Sequence, residues 1–362
     1  MSIVGAIIGN LSLVSKDVEA ACSCKLAILR PYAICAELLS VFLSSYFGQV
    51  QIQKFKRGAA QTGLILEDFS QLKIPDFSNY FETRIVAIVN SAFDAAEGNT
   101  AILLKTEKLI ATVLGLATFI PKPELVNIKS FNNSFGKTGR LDAEYFSPAK
   151  ESALATLGSM SNCTIGDLFY SIRNAWQPDK ADAIEKVRNY DLSDALSPFL
   201  DNSKVPVGCT EIASNKKIIQ GGDLVISRLR SYLKEIAVVK PGDGTLMVAS
   251  TEFIVLRPKA GTSLPVEALL VYLRSELPQL VFKWSQDGSN HPRFDEGELL
   301  RLPVPKALIA RGEEFVAAVQ SMITLRERSK QLLEAAKRAV EIAIEQDEAA
   351  GMAYLAREGA LA

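Results

Sequence analysis

Two short stretches of the chain, LKIP at residues 72–75 and LPVP at residues 302–305, share a pattern although they lie in different halves of the chain. Each closes a turn-rich segment and precedes a long helical pattern. Sliding the sequence over itself so that Leu72 falls on Leu302 extends the match without gaps, and we call this displacement the repeat offset. A slightly smaller shift aligns Ile28–Pro31 with Val255–Pro258. The matched pairs are Leu39/Leu269, Val41/Val271, Leu43/Leu273, Ser45/Ser275, Gln49/Gln279, Gly58/Gly288, Val86/Val316, Ala87/Ala317, Val89/Val319, Ser91/Ser321 and Leu103/Leu333. The preserved order of these features predicts an internal repeat.

The repeat divides the chain into alternating globular and helical parts. We predict a partial globular unit at 1–77, a long helix at 78–118, a complete globular unit at 119–306, a second long helix at 307–350 and a tail at 351–362. A large part of the second unit, from about 131 to 233, has no counterpart near the start. Residues 1–77 should therefore correspond only to the back part of the later unit, with strands at Val4–Ile8 and Lys25–Leu29 that lack sheet neighbours.

Short β-branched runs alternate with turn residues in the globular parts. Residues 223–227, 235–239 and 253–256 are such runs, and glycine or proline bounds each of them. Residues 265–280 have a helical pattern instead. Together these segments predict a mixed α/β fold of short strands and helices.

The two long helices carry the clearest periodicity. Apolar residues recur at alternating steps of four and three, which is the seam of a coiled coil. A helix of about 36 residues spans about 54 Å. We therefore predict that the two helices pack as long antiparallel coiled-coil rods that separate the globular units. The seam residues are Ile85, Val89, Leu103 and Ile110 in the first helix and Phe315, Val319, Met322, Leu333 and Val340 in the second.

Composition limits the class of protein only loosely. A formal charge of -1 neither supports nor excludes a nucleic-acid partner, because local patches can hide in a neutral total. The five cysteines form no C-x-x-C pair and the single histidine is His291, so no metal site of ordinary spacing is predicted. Such scattered thiols favour a cytoplasmic protein. The start of the chain lacks a basic segment and is interpreted as a strand and not as an export signal, and no apolar run is long enough for a membrane helix.

Motifs of catalysis are missing from the sequence. It has no Gly-x-Gly-x-x-Gly after a strand, no Gly-Lys-Ser/Thr phosphate loop and no Asn/Asp-Pro-Pro-aromatic motif of an amino-methyltransferase. No Glu-x-Lys nuclease pattern and no nucleophile beside a base and an acid stand out. We therefore expect no catalytic residue, no metal and no cofactor on this chain.

Polar, basic loops are the candidate functional residues, because arginine can fork onto guanine and lysine neutralises phosphate. The first segment, residues 227–234, places cations and an aromatic ring between two strands, and strand alternation would put them on one face. The second segment, residues 283–294, is a loop with a glycine and a proline. The third segment, residues 54–63, is equivalent to the second in the internal repeat. The first supplies Ser227, Arg228, Arg230, Tyr232 and Lys234; the second Gln286, Ser289, Asn290, His291 and Arg293; the third Lys54, Lys56, Arg57 and Gln61. Arg173–Gln177 and Lys186–Tyr190 are weaker candidates.

Several motifs resemble those of one known family. They are RLDAEYF at 140–146, IQGGDLVIS at 219–227, ASTEFIVLRP at 249–258, GSN at 288–290 and LLRLPVP at 299–305. In this order, followed by a long helix, they resemble the specificity subunits of type I restriction-modification enzymes. The resemblance covers residues 120–349 well and residues 1–116 as a fragment.

The resemblance implies a non-catalytic, DNA-reading role. Residues 1–77 would be a partial first target-recognition domain, 119–306 a second one, and the helices conserved spacers between them. Adenine DNA methyltransferase subunits, with a restriction subunit where one joins, would dock on the chain and carry S-adenosylmethionine, ATP and magnesium. This sequence lacks the front part of the first domain that the family pattern has, so we expect either that the true start lies upstream or that a second specificity polypeptide completes the first domain. The alternative is a coiled-coil scaffold or adaptor that binds other proteins, and it differs in having no salt-dependent affinity for double-stranded DNA.

Overall fold

The computed structural model describes residues 1–5, 8–14, 19–58, 63–116, 119–120, 126–181 and 186–360. The helices are α1 (Ala36–Ser44), α2 (Tyr46–Phe55), α3 (Asn79–Val113), α4 (Phe135–Thr138), α5 (Pro148–Ser159), α6 (Ile165–Leu168), α7 (Val266–Arg274), α8 (Glu276–Ser285), α9 (Glu296–Leu300), α10 (Lys306–Ala310), α11 (Gly312–Glu345) and α12 (Glu348–Arg357). The strands are β1 (Ser161–Thr164), β2 (Phe169–Ile172), β3 (Ala175–Trp176), β4 (Lys186–Tyr190), β5 (Val207–Gly208), β6 (Lys216–Ile219), β7 (Leu224–Ser227), β8 (Ile236–Val238), β9 (Leu246–Ser250), β10 (Phe253–Pro258) and β11 (Pro303–Pro305). The predicted mixed α/β class with long helices is confirmed.

Two compact units divide the chain. Unit 1 contains Met1–Ala101 and Thr324–Ala362, and unit 2 contains Ile102–Ile323. Each long helix therefore contributes one part to each unit: α3 gives its part up to Ala101 to unit 1, and α11 gives its part from Thr324 onward. None of the helices that the structure describes is long and apolar enough to cross a membrane.

Unit 1 is built around helices. Leu38, Phe42 and Ile52 of α1 and α2 share one core with Ile85 of α3 and Val340 of α11. In this unit the two long helices run antiparallel. Just before α3 begins, the backbone N–H of Ser78 donates to Glu348, which follows the end of α11. Further along α3, a Cβ placed on Gly98 would lie 3.2 Å from Leu325, which is nearer the start of α11. This direction agrees with the predicted antiparallel packing.

The strands predicted at Val4–Ile8 and Lys25–Leu29 do not form in the described residues. Only single bridges are present, between Ser2 and Leu26 and between Val4 and Gly63. Gly5 has a φ of 120° and so leaves the extended conformation after one residue. The prediction of strands was wrong here, and Ala6 and Ile7 lie outside the described residues.

The internal repeat is confirmed in the structure. Helices α1 and α2 recur as α7 and α8, and the ends of both helices are displaced by the repeat offset. Gln49 Nε2 donates to the carbonyl of Leu43 at 2.7 Å, and Gln279 Nε2 donates to that of Leu273 at the same distance. At a displacement five residues smaller than the repeat offset, the match reaches the start of the chain, since Ser2 N donates to Asn10 O as Ser227 N donates to Glu235 O, both at 2.9 Å.

Unit 2 contains three sheets in its described residues: β1-β11, β2-β10-β7-β8 and β3-β6-β9-β4-β5. In the four-stranded sheet, Leu224 and Ile226 of β7 enter the core with α7 and α8, whereas Val225 between them enters a second cluster. This alternation is the strand period of two. Asp223, fully buried at the start of β7, accepts from Arg257 Nε at 2.7 Å and thereby fastens β7 to β10.

The long helices bury most of the predicted seam. Ile85, Val89, Ile110, Phe315, Val319, Met322 and Val340 are buried, and Leu103 is half-buried. Leu333 is the exception, because 40% of it is exposed while its neighbour Leu332 is buried. In unit 1 α11 also contacts α12 at Gly351 and α2 at Tyr46, and its buried apolar positions are Leu332, Ala335, Ala336, Ala339 and Val340. Because of these contacts, the buried face of α11 includes Leu332 and not Leu333. The prediction that Leu333 lies in the coiled-coil seam was therefore wrong.

Candidate nucleic-acid interface

The first candidate segment begins as a strand and ends as a tight turn. Strand β7 stops at Ser227, and Ser231–Leu233 form a single 3₁₀ turn. Arg230 and Lys234, at either side of that turn, have φ values of 50° and 52°. The left-handed backbone costs about 1–3 kcal/mol at each such residue and must be held by its surroundings. Strand alternation therefore ends at Ser227, and the single face predicted for 228–234 does not form.

The second candidate loop supplies those surroundings. Arg230 N donates to Pro292 O at 2.9 Å, and Phe294 N donates to Arg228 O at 3.1 Å. Gln286 Nε2 donates to Ser231 Oγ at 2.6 Å. The structure thus brings residues 228–234 and 286–293, which are distant in sequence, into one feature. We call these two segments the paired loops.

One carboxylate holds two arginines of the paired loops. Arg293 forks onto Glu252, with Nη2 at 2.7 Å from Oε1 and Nε at 3.0 Å from Oε2. Arg228 reaches the same carboxylate through Nε alone, at 3.1 Å from Oε2. The hydrogen bonds from Arg293 and then Arg228 outweigh burial and lower the pKa of Glu252 to about 2. Glu252 is therefore ionised at neutral pH and keeps both guanidinium groups in place.

Two further cations lie beside this group. Arg173, at the end of β2, is mostly exposed and contacts Glu296 at 2.8 Å. Lys217 donates to the carbonyl of Phe253 at 2.6 Å. Burial lowers the pKa of Lys217; Glu296 opposes that shift and the nearby charges of Arg228 and Arg173 add to it. One surface of unit 2 thus contains four basic side chains and two carboxylates, so basic groups outnumber acidic ones there. They are Arg173, Lys217, Arg228, Arg293, Glu252 and Glu296.

The other residues predicted in the paired loops differ in access. Tyr232, Ser289, Asn290 and His291 are exposed. Arg230, Lys234 and Gln286 are half-buried, and Arg230 Nη2 lies 3.4 Å from the carbonyl of Asn290. Ser227 is buried, and its hydroxyl group donates to the carbonyl of Leu229 and accepts from the backbone N–H of Leu229. It therefore cannot contact DNA as predicted.

Of the weaker candidates, the segment Lys186–Tyr190 is structural in part. Arg188 is buried and donates to Asp243 through both terminal nitrogens, at 3.2 and 3.0 Å, and through Nε to the carbonyl of Lys204. All of its donor groups face protein. The prediction that Arg188 contributes to an interface was wrong, because its charge holds the loop at Asp243.

The RLDAEYF motif fixes the start of the second loop. Arg140 donates from Nη1 to Ser285 O and from Nη2 to Gln286 O, both at 3.0 Å. The buried Lys150 lies 3.2 Å from Glu298, and Tyr145 donates to the same carboxylate at 2.8 Å. Burial would raise the pKa of Glu298, but Lys150, Tyr145 and Arg301 outweigh it and lower that pKa to about 2. The motif is therefore a support for the loop.

The third candidate loop belongs to unit 1. Lys54 and Arg57 are exposed and Lys56 is half-buried, whereas Gln61 lies outside the described residues. Arg57 contacts the buried Asp68 at 2.6 Å. The bridge between Arg57 and Gly63 recurs, displaced by the repeat offset, as the bridge between Asp287 and Arg293. The bridge that closes the loop is thus the same in both units.

Three residues that shape this surface were missed from the sequence as site residues. Glu252, Glu296 and Lys217 lie in three separate segments and act on arginines that are distant in sequence. Glu252 was inside the ASTEFIVLRP motif, but its position in that motif gave no sign of a partner. In the described parts of the chain, no group of three or more His, Cys, Asp or Glu side chains is placed to hold a metal ion.

Comparison with known proteins gives structural neighbours only. No family model and no curated protein sequence matches the chain. Similar solved structures include the HsdS subunit from Thermoanaerobacter tengcongensis, with 15% identity, coverage of 86% of this chain and 70% of that one, and a TM-score of 0.33. The S subunit of a type I restriction-modification system from M. genitalium has 15% identity, coverage of 86% and 71%, and a TM-score of 0.34. A structure on complex assembly and conformational transition of the type I R-M system has 14% identity, coverage of 83% and 70%, and a TM-score of 0.31.

Proposed function

We propose that this chain is a DNA specificity subunit of a type I-like restriction-modification complex. The observation that carries the proposal is the surface of the paired loops in unit 2, where Arg173, Lys217, Arg228 and Arg293 converge from four segments. Sequence-specific DNA binding needs both phosphate neutralisation and donors for base edges. This surface offers cations together with the exposed polar groups of Ser289, Asn290 and His291.

The internal repeat favours sequence-specific DNA binding over a role as a protein-binding adaptor. In both units an equivalent bridge closes the loop after the same pair of helices, and each loop carries a cation, Arg57 in unit 1 and Arg293 in unit 2. A protein-binding adaptor has no need for cations at equivalent loops of both units. In the proposed function each loop contacts duplex DNA, and the bases that it prefers depend on its own side chains.

Chemistry in this proposal belongs to partner subunits. Adenine DNA methyltransferase subunits would dock on the chain and supply S-adenosylmethionine, and a restriction subunit would supply ATP-driven cleavage with magnesium where it joins. A second specificity polypeptide is proposed as a further partner that would complete the recognition domain of which residues 1–77 form part. The chain itself is proposed to have no catalytic residue and no cofactor.

The test is DNA binding by the purified full-length chain, alone and with an adenine DNA methyltransferase as the proposed partner. We expect affinity for duplex DNA to fall as salt rises, with a slope of about -0.9 for each phosphate contacted. Selection from a random duplex library should then enrich a defined sequence. A chain that binds its partner but shows no salt-dependent affinity for duplex DNA would be an adaptor, and the proposal would be wrong.

A further inference from the structure

Four arginines in or beside the paired loops, Arg173, Arg228, Arg230 and Arg293, differ in how many of their donor nitrogens remain for a ligand. Arg293 uses Nε and Nη2 on Glu252 and Nη1 on the carbonyl of His291. Arg173 uses Nη2 on Glu296, and Arg230 directs Nη2 to the carbonyl of Asn290. Among the described residues, none accepts a hydrogen bond from Nη1 or Nη2 of Arg228. Within the part of the chain that the structure describes, Arg228 is therefore the one of these four with both terminal nitrogens available.

The rest of Arg228 is held rigidly. Its backbone N–H donates to Glu252 O at 3.2 Å, and its carbonyl accepts from Phe294 N at 3.1 Å. Its Nε donates to Glu252 Oε2 at 3.1 Å, and Glu252 is fixed in turn by the fork from Arg293. Three attachment points set the direction of the guanidinium group before any ligand arrives. Such preorganisation reduces the entropy lost on binding.

A guanidinium group held through Nε presents Nη1 and Nη2 as a planar pair of donors. The acceptor pair that matches this spacing on a base edge is O6 and N7 of guanine in the major groove. Two oxygens of a phosphate accept the same fork, but a phosphate contact does not require a fixed orientation, and Arg173 and Lys217 supply charge for it beside Arg228. We propose that Arg228 reads one guanine of the DNA site through Nη1 and Nη2, and that Glu252 is the positioning residue that aims it. This inference rests on the proposed function.

The first experiment compares the full chain with Arg228→Ala and Arg228→Lys in selection from a random duplex library. Arg228→Ala should lose preference for guanine at one position, by about 10- to 100-fold, and keep the other positions; Arg228→Lys should lose less at that position, because an ammonium group also donates to O6 and N7 but without the planar fork. Lysine keeps the charge but cannot fork, so Arg228→Lys should retain the salt dependence of the unmodified chain. If Arg228→Ala instead keeps every base preference and lowers the salt slope by about one, Arg228 is a phosphate contact and the inference is wrong.

The second experiment tests the positioning role of Glu252. Glu252→Gln keeps the size of the side chain but weakens its hold on both arginines. It should reduce discrimination at the same guanine as Arg228→Ala, and it should have no further effect on that position when combined with Arg228→Ala. A merely structural role would lower the melting temperature and affect all positions alike. Additive losses at the guanine, or unchanged discrimination in Glu252→Gln, would overturn the role of Glu252.

Arg311→Ala is the matched control. Arg311 is as exposed as Arg228, at 38% against 44% of the side chain, and contacts one carboxylate, Glu314. Its removal deletes the same charge from unit 2 and should leave every base preference unchanged. Failure of the unmodified chain to bind duplex DNA would contradict the proposed function. Binding with a preference that Arg228→Ala and Arg228→Lys leave intact would contradict the inference alone.

Discussion

The loop after α2 in unit 1 and the loop after α8 in unit 2 are closed by equivalent backbone bridges but differ in side-chain chemistry. Gly58 and Gly288 have φ values of 101° and 93°, and the bridges that close the two loops are related by the repeat offset. Gly63 stands where unit 2 has Arg293. The position of Arg228 is taken by Ile3, since the bridge of Val4 repeats that of Leu229. The pair of arginines, Arg228 and Arg293, is thus present only in unit 2, although equivalent bridges close the loops of both units.

The ion pairs that adjoin the two loops also differ between the units. Asp68 and Glu298 occupy equivalent positions, and each carboxylate is paired with cations. In unit 2 the cations are Lys150 and Arg301, with Lys150 from the front part that has no counterpart in unit 1. In unit 1 the loop provides its own cation, Arg57. The repeat therefore keeps the carboxylate under the loop and changes the source of its partner.

The largest expected difference between the units is the cost of removing this carboxylate. Glu298→Gln would leave Lys150, whose side chain is only 4% exposed, without its counter-charge. Breaking a buried pair by removing one partner costs about 3–5 kcal/mol of unfolding free energy. Denaturant unfolding of the full chain should show this loss. Arg301→Ala, which removes an exposed partner of the same carboxylate, should cost less than about 1 kcal/mol, and equal losses would contradict the buried pairing.

The same carboxylate predicts a dependence on pH. The pKa of Glu298 in the folded chain, about 2, lies below the ordinary value of 4.5. A depressed folded pKa stabilises the fold above the unfolded value, and this contribution is lost as pH falls from about 5 towards 2. The unfolding free energy of Glu298→Gln should therefore fall less than that of the unmodified chain over this range. Parallel curves would show that another group dominates.

The second prediction concerns the part of α11 in unit 1. Leu332→Ala should lower the unfolding free energy by about 2–5 kcal/mol, because Leu332 is buried in the core of unit 1. Leu333→Ala, its exposed neighbour, should change it by less than about 0.5 kcal/mol. Denaturant unfolding of the two variants measures the difference. If Leu333→Ala is the more damaging variant, the heptad register drawn from the sequence is correct after all.

These two leucines show how far the sequence could predict the structure. The repeat was predictable because identical residues mark the same hydrogen bonds, as at Gln49 and Gln279. The register of Leu333 was not predictable, because α12 and α2 add contacts to α11 that a heptad of two helices omits. Likewise, the pattern of residues 265–280 predicts one helix, but the backbone turns at Ser275 with a ψ of 167° and starts another.

The candidate site was predictable as segments but not as a surface. Cations in 227–234 and 283–294 were visible in the sequence, and both segments do form the paired loops. Their convergence depends on Glu252, from a third segment, and on the left-handed backbone at Arg230. A non-glycine residue in that conformation has no sequence signature, because its surroundings and not its own preference hold it there.

The third prediction returns to unit 1 and to the partner of Asp68. Asp68→Asn should cost about 1 kcal/mol of unfolding free energy, less than Glu298→Gln in unit 2. The reason is the difference in the cations, since 60% of the Arg57 side chain is exposed and water can replace the lost carboxylate. Thermal or denaturant unfolding of the two variants side by side checks the order. A larger loss in Asp68→Asn would mean that the two supports are not equivalent in the way that the repeat indicates.

The smallest expected effect separates the two loops in DNA binding. Lys234→Ala in unit 2 and Lys54→Ala in unit 1 each remove one cation, and if each lysine contacts a phosphate, each variant should flatten the salt slope by about one. Between about 50 and 200 mM salt this amounts to about a threefold smaller loss of affinity, without change in base preference. Titration of a fixed duplex at several salt concentrations measures both slopes. A flatter slope for Lys234→Ala alone would confine DNA contact to unit 2. Equal flattening would show that unit 1, although it lacks the arginine pair, still contacts the backbone, so that the shared scaffold positions both loops on DNA while the differing side chains determine what each one reads.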